Sequence, residues 1–151
     1  MSRAPHPERE TTVLLVEDDA AHAEIVLRNF TALGLRHRVE HVSDGETALD
    51  YLRRTGSYSG KAASRPGLVL LDLRLPRLGG LEVLAAIKGD ARLDTIPVVA
   101  LTTSSADTDV EQAYRLGVNS YLVKPFERDV FEDLLSTLGR YWLRWNEQPR
   151  A

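Results

Sequence analysis

Leu68-Val-Leu-Leu-Asp72 is a run of four aliphatic residues that ends in a carboxylate, opened by Pro66-Gly67 and followed by Pro76 and Gly79-Gly80. A continuous apolar run of this length between turn signals predicts a strand buried on both faces, and such strands belong to parallel sheets covered by helices. Asp72 then stands at the carboxyl end of a central strand. In open α/β sheets the crevice outside that edge is where ligand sites form.

Working outward, the other segments repeat this pattern. Val13-Leu-Leu-Val16 is a second apolar run, closed by Glu17-Asp18-Asp19 and followed by Ile25, Val26, Leu27, Phe30 and Leu33 at helical spacing up to Gly34. Arg36 to Val42 alternates apolar and charged residues, as an edge strand does. Ser43-Asp-Gly-Glu46 has capping-box spacing before a helix through Ala48, Leu49 and Leu52. Past Asp72 a helix from about Leu81 leads to a strand over Pro97 to Leu101, which ends in Thr102-Thr-Ser-Ser105, with Ser104 or Ser105 expected to cap the next helix. That helix stops at Gly117; Ser120-Tyr-Leu-Val123 is the fifth strand, and Lys124-Pro125-Phe126 precedes a last helix from Glu127 or Asp129. Five strands alternating with five helices predict a doubly wound α/β fold, (βα)5, with right-handed crossovers.

The chain of 151 residues, 43% of them apolar, fits one globular domain. Residues 1-11 are expected to be a disordered tail, 12-138 the folded domain, and 139-151 an extension of the last helix. A net charge of -3 gives no global field for nucleic acid. The absence of cysteine excludes disulfides and thiolate metal sites. No apolar run reaches the roughly 18–20 residues that span a bilayer, so no membrane association is expected and the protein reads as cytoplasmic.

In a parallel sheet Glu17, Asp18, Asp72, Thr102 and Lys124 all fall on one edge. Three carboxylates gathered there need positive charge. Lys124 supplies one unit and a divalent cation would supply two. An all-oxygen donor set favours Mg2+, or Mn2+, over zinc, and Mg2+ held by few protein ligands favours phosphate oxygens as partners. Taken alone, Glu17-Asp18-Asp19 is an ordinary helix-capping turn, with Asp19 the cap, and Lys124 an ordinary surface lysine; their shared edge argues otherwise. The histidines at 6, 22, 37 and 41 show no metal spacing and receive no role.

Together, Val-Glu17-Asp18-Asp, Leu-Leu-Asp72-Leu-Arg-Leu-Pro76, Leu-Thr102-Thr and Tyr-Leu-Val-Lys124-Pro125-Phe resemble the receiver domain of two-component response regulators, over about Thr12 to Leu138. The resemblance implies a flavodoxin-like sheet in strand order 2-1-3-4-5. It implies that Asp72 accepts a phosphoryl group from a sensor histidine kinase, and that Glu17, Asp18, Asp72 and the Arg74 backbone carbonyl hold Mg2+. Lys124 would pair with Asp72 and then with a phosphoryl oxygen. Thr102, with Thr103 beside it, and Tyr121 would form the switch, although Tyr121 also suits a core position. Lys124-Pro125 would be a cis peptide. The long loop Gly56 to Pro66 and Gly-Val-Asn-Ser-Tyr are most similar to the stand-alone regulators that partner phytochrome-type kinases. Arg74 replaces the small or polar residue often found two positions after the acceptor Asp in that family.

The function implied is a phospho-acceptor signalling protein that acts through protein contacts and is not a turnover enzyme. Two rivals remain: a phosphate-independent receiver-like scaffold, and a haloacid-dehalogenase-type phosphatase, disfavoured because Arg74 stands where that class needs a second Asp. A flavodoxin-like nucleotide site is disfavoured by the lack of a Gly-rich loop after the first strand.

Leu134, Leu135, Leu138, Tyr141, Trp142 and Trp145 extend a helical stripe, and a helix from Glu127 to Trp145 would run roughly 28 Å at ~1.5 Å per residue. That overhangs a strand of about 17 Å. Leu138, Tyr141, Trp142 and Trp145 are therefore expected at a homodimer contact. The alternative is that Gly139 breaks the helix and the tryptophans fold back.

Overall fold

A computed structural model describes residues 10–60 and 64–149; the expected tail lies, up to residue 9, outside them. Five parallel strands, β1 (Thr11–Val16), β2 (His37–Val42), β3 (Leu68–Leu71), β4 (Val98–Thr102) and β5 (Ser120–Val123), lie in the order 2-1-3-4-5. The helices are α1 (Ala20–Ala32), α2 (Gly45–Arg53), α3 (Gly80–Lys88), α4 (Asp107–Arg115) and α5 (Arg128–Gly139). The first strand starts one residue earlier than the domain boundary expected, because Thr11 already pairs with His37.

Both central strands are closed to solvent on both faces, which explains their unbroken apolar runs: every residue of β1 and β3 is buried. The sheet divides the core in two. Leu14, Val16, Val69, Leu71, Val98 and Ala100 face α2, α3 and α4, while Val13, Leu15, Leu68, Leu70, Val99 and Leu101 face α1 and α5.

Capping follows side-chain chemistry. Asp19 accepts from the Ala21 and His22 amides at the start of α1, and Asp44, one residue after the serine that opens the expected box, accepts from the Thr47 amide at 2.8 Å. Neither Ser104 nor Ser105 caps α4. Ala106 holds that position and no side chain bonds its free amides; the Ser104 hydroxyl instead donates to Asp109 Oδ2.

Gly139 does not break the last helix. It keeps helical angles, φ -64° and ψ -43°, and the chain continues as a π-helical turn over Arg140–Trp145. Glycine allows close packing there: a Cβ would press on the Leu33 side chain at the end of α1, which would have to move aside. Leu138 is buried, and Trp142 and Leu143 pack on the α1–α5 core, whereas Tyr141 and Trp145 are more than half exposed. Beyond Asn146 the chain turns back. The Gln148 amide donates to the Trp142 carbonyl, and Gln148 and Pro149 border a crevice with Glu10, Thr12 and Gly67 at the amino edge of the sheet.

The loop after α2 is anchored at both ends. Tyr58 packs edge-on against Tyr51, whose hydroxyl donates to the Ser64 carbonyl, and Arg65 donates to the Arg92 carbonyl and the Thr95 hydroxyl. Among the described residues no helix is long and apolar enough to cross a membrane.

Candidate phosphoryl-acceptor site

Strand register brings the site together. Val16 pairs with Leu71, and Thr102 with Val123. The ladder continues one step further at each end: the Glu17 amide donates to the Val42 carbonyl, Asp72 to Val16, and Lys124 to Thr102. The next side chains, Glu17, Asp72 and Lys124, are thus presented on one edge. Gly80 lets α3 begin against this edge, since a Cβ there would lie 2.5 Å from the Asp72 carbonyl oxygen.

Lys124 is the hub. Its Nζ lies 2.5 Å from Glu17 Oε1, 3.0 Å from Asp72 Oδ2 and 2.9 Å from His22 Nδ1. The Lys124, Glu17 and Asp72 side chains are each at least nine-tenths buried. Such burial would be costly for an unpaired ion, and the three direct partners offset it. Asp18, by contrast, faces solvent, and Glu17, Asp18 and Asp72 each bring an oxygen within 4.8 Å of the others.

Burial would raise both inner carboxyls, but their surroundings split them. Burial dominates at Glu17 and, with the neighbouring Asp72 charge, pushes it up to about 7 despite Lys124. At Asp72 the effect of burial is outweighed by the Arg74 amide, which donates to Oδ1 at 2.9 Å, and by bonds from Glu17 and Lys124, so its carboxyl is held below the ordinary aspartate value. Buried beside Asp72, Glu17 is thus the carboxyl that holds its proton more readily than an ordinary glutamate, and one lysine alone leaves negative charge in excess at this edge. A hard cation fits this donor set: all its ligand atoms are oxygen, and its charge would offset the excess negative charge.

The remaining expected residues fall around this centre. Thr102 is fully buried at the end of β4, with its Oγ1 3.4 Å from the Ser104 amide, and Thr103 is exposed. The Tyr121 hydroxyl donates to the Ser104 carbonyl at 2.8 Å, so Tyr121 is packed on the core and also tied to the loop that follows Thr102. The Lys124–Pro125 bond is trans, as are all described peptide bonds, which corrects the cis isomer expected. Trans is the preferred isomer of an X–Pro bond by about 0.5–1 kcal/mol, and pairing of Lys124 with Thr102 already delivers the side chain to the site.

Two histidines belong to this region although the sequence offered no reason to place them there. His22, on the first turn of α1, meets Lys124, and His41 Nε2 donates to the Glu17 carbonyl at 2.8 Å. The only signal available was position: the first turn after β1 and the end of β2 both border the carboxyl edge.

The fold and the acidic strand-end cluster with its buried lysine define a doubly wound α/β protein of the receiver type. The chain belongs to the response regulator receiver domain family, which it matches over residues 13–136. It is 51% identical over 140 residues to a probable methanogenesis regulatory protein, FilR2, of Methanothrix harundinacea, covering 91% of this chain and 86% of that protein. It is 39% identical to the response regulator Rcp1 of Synechocystis, covering 92% and 93% of the two chains; the manganese-bound crystal structure of Rcp1 superimposes with a TM-score of 0.89. The phosphorylated cyanobacterial phytochrome response regulator RcpA has the same TM-score at 37% identity, covering 94% of this chain and all of that one.

Proposed function

We propose that Asp72 accepts a phosphoryl group from a sensor histidine kinase, of the phytochrome type, and that the modified domain signals by changed protein contacts. The observation that supports this most directly is the pairing of Asp72 Oδ2 with buried Lys124 at 3.0 Å, which keeps a charged nucleophile at the mouth of a parallel sheet. An Asp72 oxygen attacks phosphorus, the bond from phosphorus to the kinase histidine nitrogen breaks, and that nitrogen keeps the electron pair. Lys124 meets a phosphoryl oxygen as Asp72 loses its own charge to the new bond, and the Thr103 amide offers a further donor. Glu17, Asp18, Asp72 and the Arg74 carbonyl would hold Mg2+ or Mn2+, whose charge would neutralise phosphoryl oxygens during transfer.

The Thr102 hydroxyl then turns to the phosphoryl oxygen and draws the 103–106 loop with it. Tyr121 follows through its bond to Ser104, and α4 shifts. The protein is an acceptor and not a turnover enzyme, it works in the cytoplasm, and its partners are proteins, not nucleic acid, in keeping with a net charge of -3. Incubation with acetyl phosphate and Mg2+ adds about 80 Da to the intact mass, one HPO3. The Asp72→Asn variant and metal-free samples gain nothing. Labelling undiminished in Asp72→Asn overturns the assignment.

Self-association belongs to the same reading. A groove of about 550 Å3 runs between edge strand β5 and α5, lined by Leu122, Leu134, Leu138, Tyr141 and Trp142, and with exposed Tyr141 and Trp145 it suits a two-fold homodimer. A monomer mass in light scattering that does not change with concentration rejects the dimer.

A further inference from the structure

We infer that His22 is a positioning residue for Lys124, the neutral partner that keeps its ammonium in place while the two carboxylates change roles. The inference rests on the reading of Asp72 as phospho-acceptor. His22 Nδ1 lies 2.9 Å from Lys124 Nζ and 3.7 Å from Asp19 Oδ2, so the lysine and not the aspartate is within hydrogen-bond reach. A lysine ammonium has three donors and no acceptor, which requires a bare lone pair at Nδ1 and places the imidazole proton on Nε2. The ring is fixed in this pose by its edge-on contact with Phe131, centroids 6.1 Å apart, and by the helix turn that Asp19 caps.

The three protons of Lys124 therefore have three acceptors, Glu17, Asp72 and His22. Two of those are carboxylates of the acceptor site, whose oxygens serve the lysine, a cation or phosphorus in turn. Asp72 loses its negative charge when its oxygen bonds phosphorus, and its hold on the ammonium weakens at that step. His22 undergoes no such change. It is the fixed point about which Nζ can swing from Asp72 to the new phosphoryl oxygen without passing through a conformation that lacks partners inside a nine-tenths buried pocket.

The test joins kinetics with a spectrum that needs no phosphorylation. In the full chain, His22→Leu slows labelling by acetyl phosphate roughly tenfold, the scale of one hydrogen bond to a charged group, while His22→Asn, whose Oδ1 takes the place of Nδ1, returns it to within about twofold. Long-range 15N–1H correlation of the metal-free wild type shows the His22 Nε2–H tautomer, and Lys124→Met moves the Nδ1 resonance. A proton on Nδ1, or an Nδ1 signal indifferent to Lys124→Met, overturns the inference; so does equal slowing by Leu and Asn, which would mark a packing role. A wild type that takes no label defeats the acceptor reading instead, and the spectrum still decides His22.

Discussion

Helices α2 and α4 are each nine residues long and flank the same face of the sheet, yet they are held very differently. α2 buries Gly45, Ala48, Leu49, Tyr51 and Leu52, starts on the Asp44 cap and ends at Arg54 in the left-handed conformation, φ 58°. α4 buries Ala113 alone and has no side-chain cap. Its entrance is tied by Ser104 to Asp109 and by Tyr121 to Ser104. Since apolar burial contributes about 25 cal/mol per Å2, α2 is an integral part of the core and α4 is a lightly attached element. The light attachment falls beside Thr102, where a movement of the loop has the least packing to break.

The widest gap between the two helices is expected on truncation of large side chains. Leu49→Ala costs roughly 2–5 kcal/mol in urea denaturation, whereas Tyr114→Ala, at a position 53% exposed, stays within about 0.5 kcal/mol. Comparable losses at both sites would erase the contrast. Amide exchange reads it without mutation: α4 amides should exchange at least about tenfold faster than those of α2, because local opening of α4 exposes less apolar surface.

The cap of α2 comes next. Asp44→Ala removes about 1 kcal/mol at neutral pH. The Thr47 amide holds the Asp44 carboxyl below its ordinary value of 3.8, so the unfolded chain binds the proton more readily than the native one. The cap's contribution is complete above the unfolded value and disappears as pH falls through the lower, folded value. The gap between wild type and Asp44→Ala in denaturation experiments should thus narrow progressively as pH falls below 3.8; a constant gap would show that the carboxylate is not responsible. The smallest effect sharpens the comparison at the other helix. Tyr121→Phe removes a bond worth about 0.5–1.5 kcal/mol and should speed exchange in α4 while leaving α2 unchanged.

Much of this architecture was legible because burial on two faces leaves a plain trace. The unbroken runs Val13 to Val16 and Leu68 to Leu71 fix the central strands, and once these are parallel the residues that follow them must share an edge. Asp19, Gly34 and Gly117 likewise act locally, through a cap and positive φ, and read correctly from their neighbours. What escaped depends on contacts across the fold. Gly139 looks like a helix stop until α1 is placed beside it. Ser104 looks like a cap, yet its hydroxyl finds Asp109. His22 meets Lys124 across 102 positions of sequence, a meeting that no spacing rule encodes.

The return of the chain after Asn146 has a practical consequence. Gln148 and Pro149 share a crevice with Glu10, on the side of the sheet away from Asp72. A short linker from 149 to 10 would close the described domain into a ring, which could be reopened within the surface turn Gly56–Gly60 as a circular permutant. In such a molecule both new termini leave from the amino edge, so a reporter protein can be carried at either one while the phosphoryl-acceptor edge stays clear.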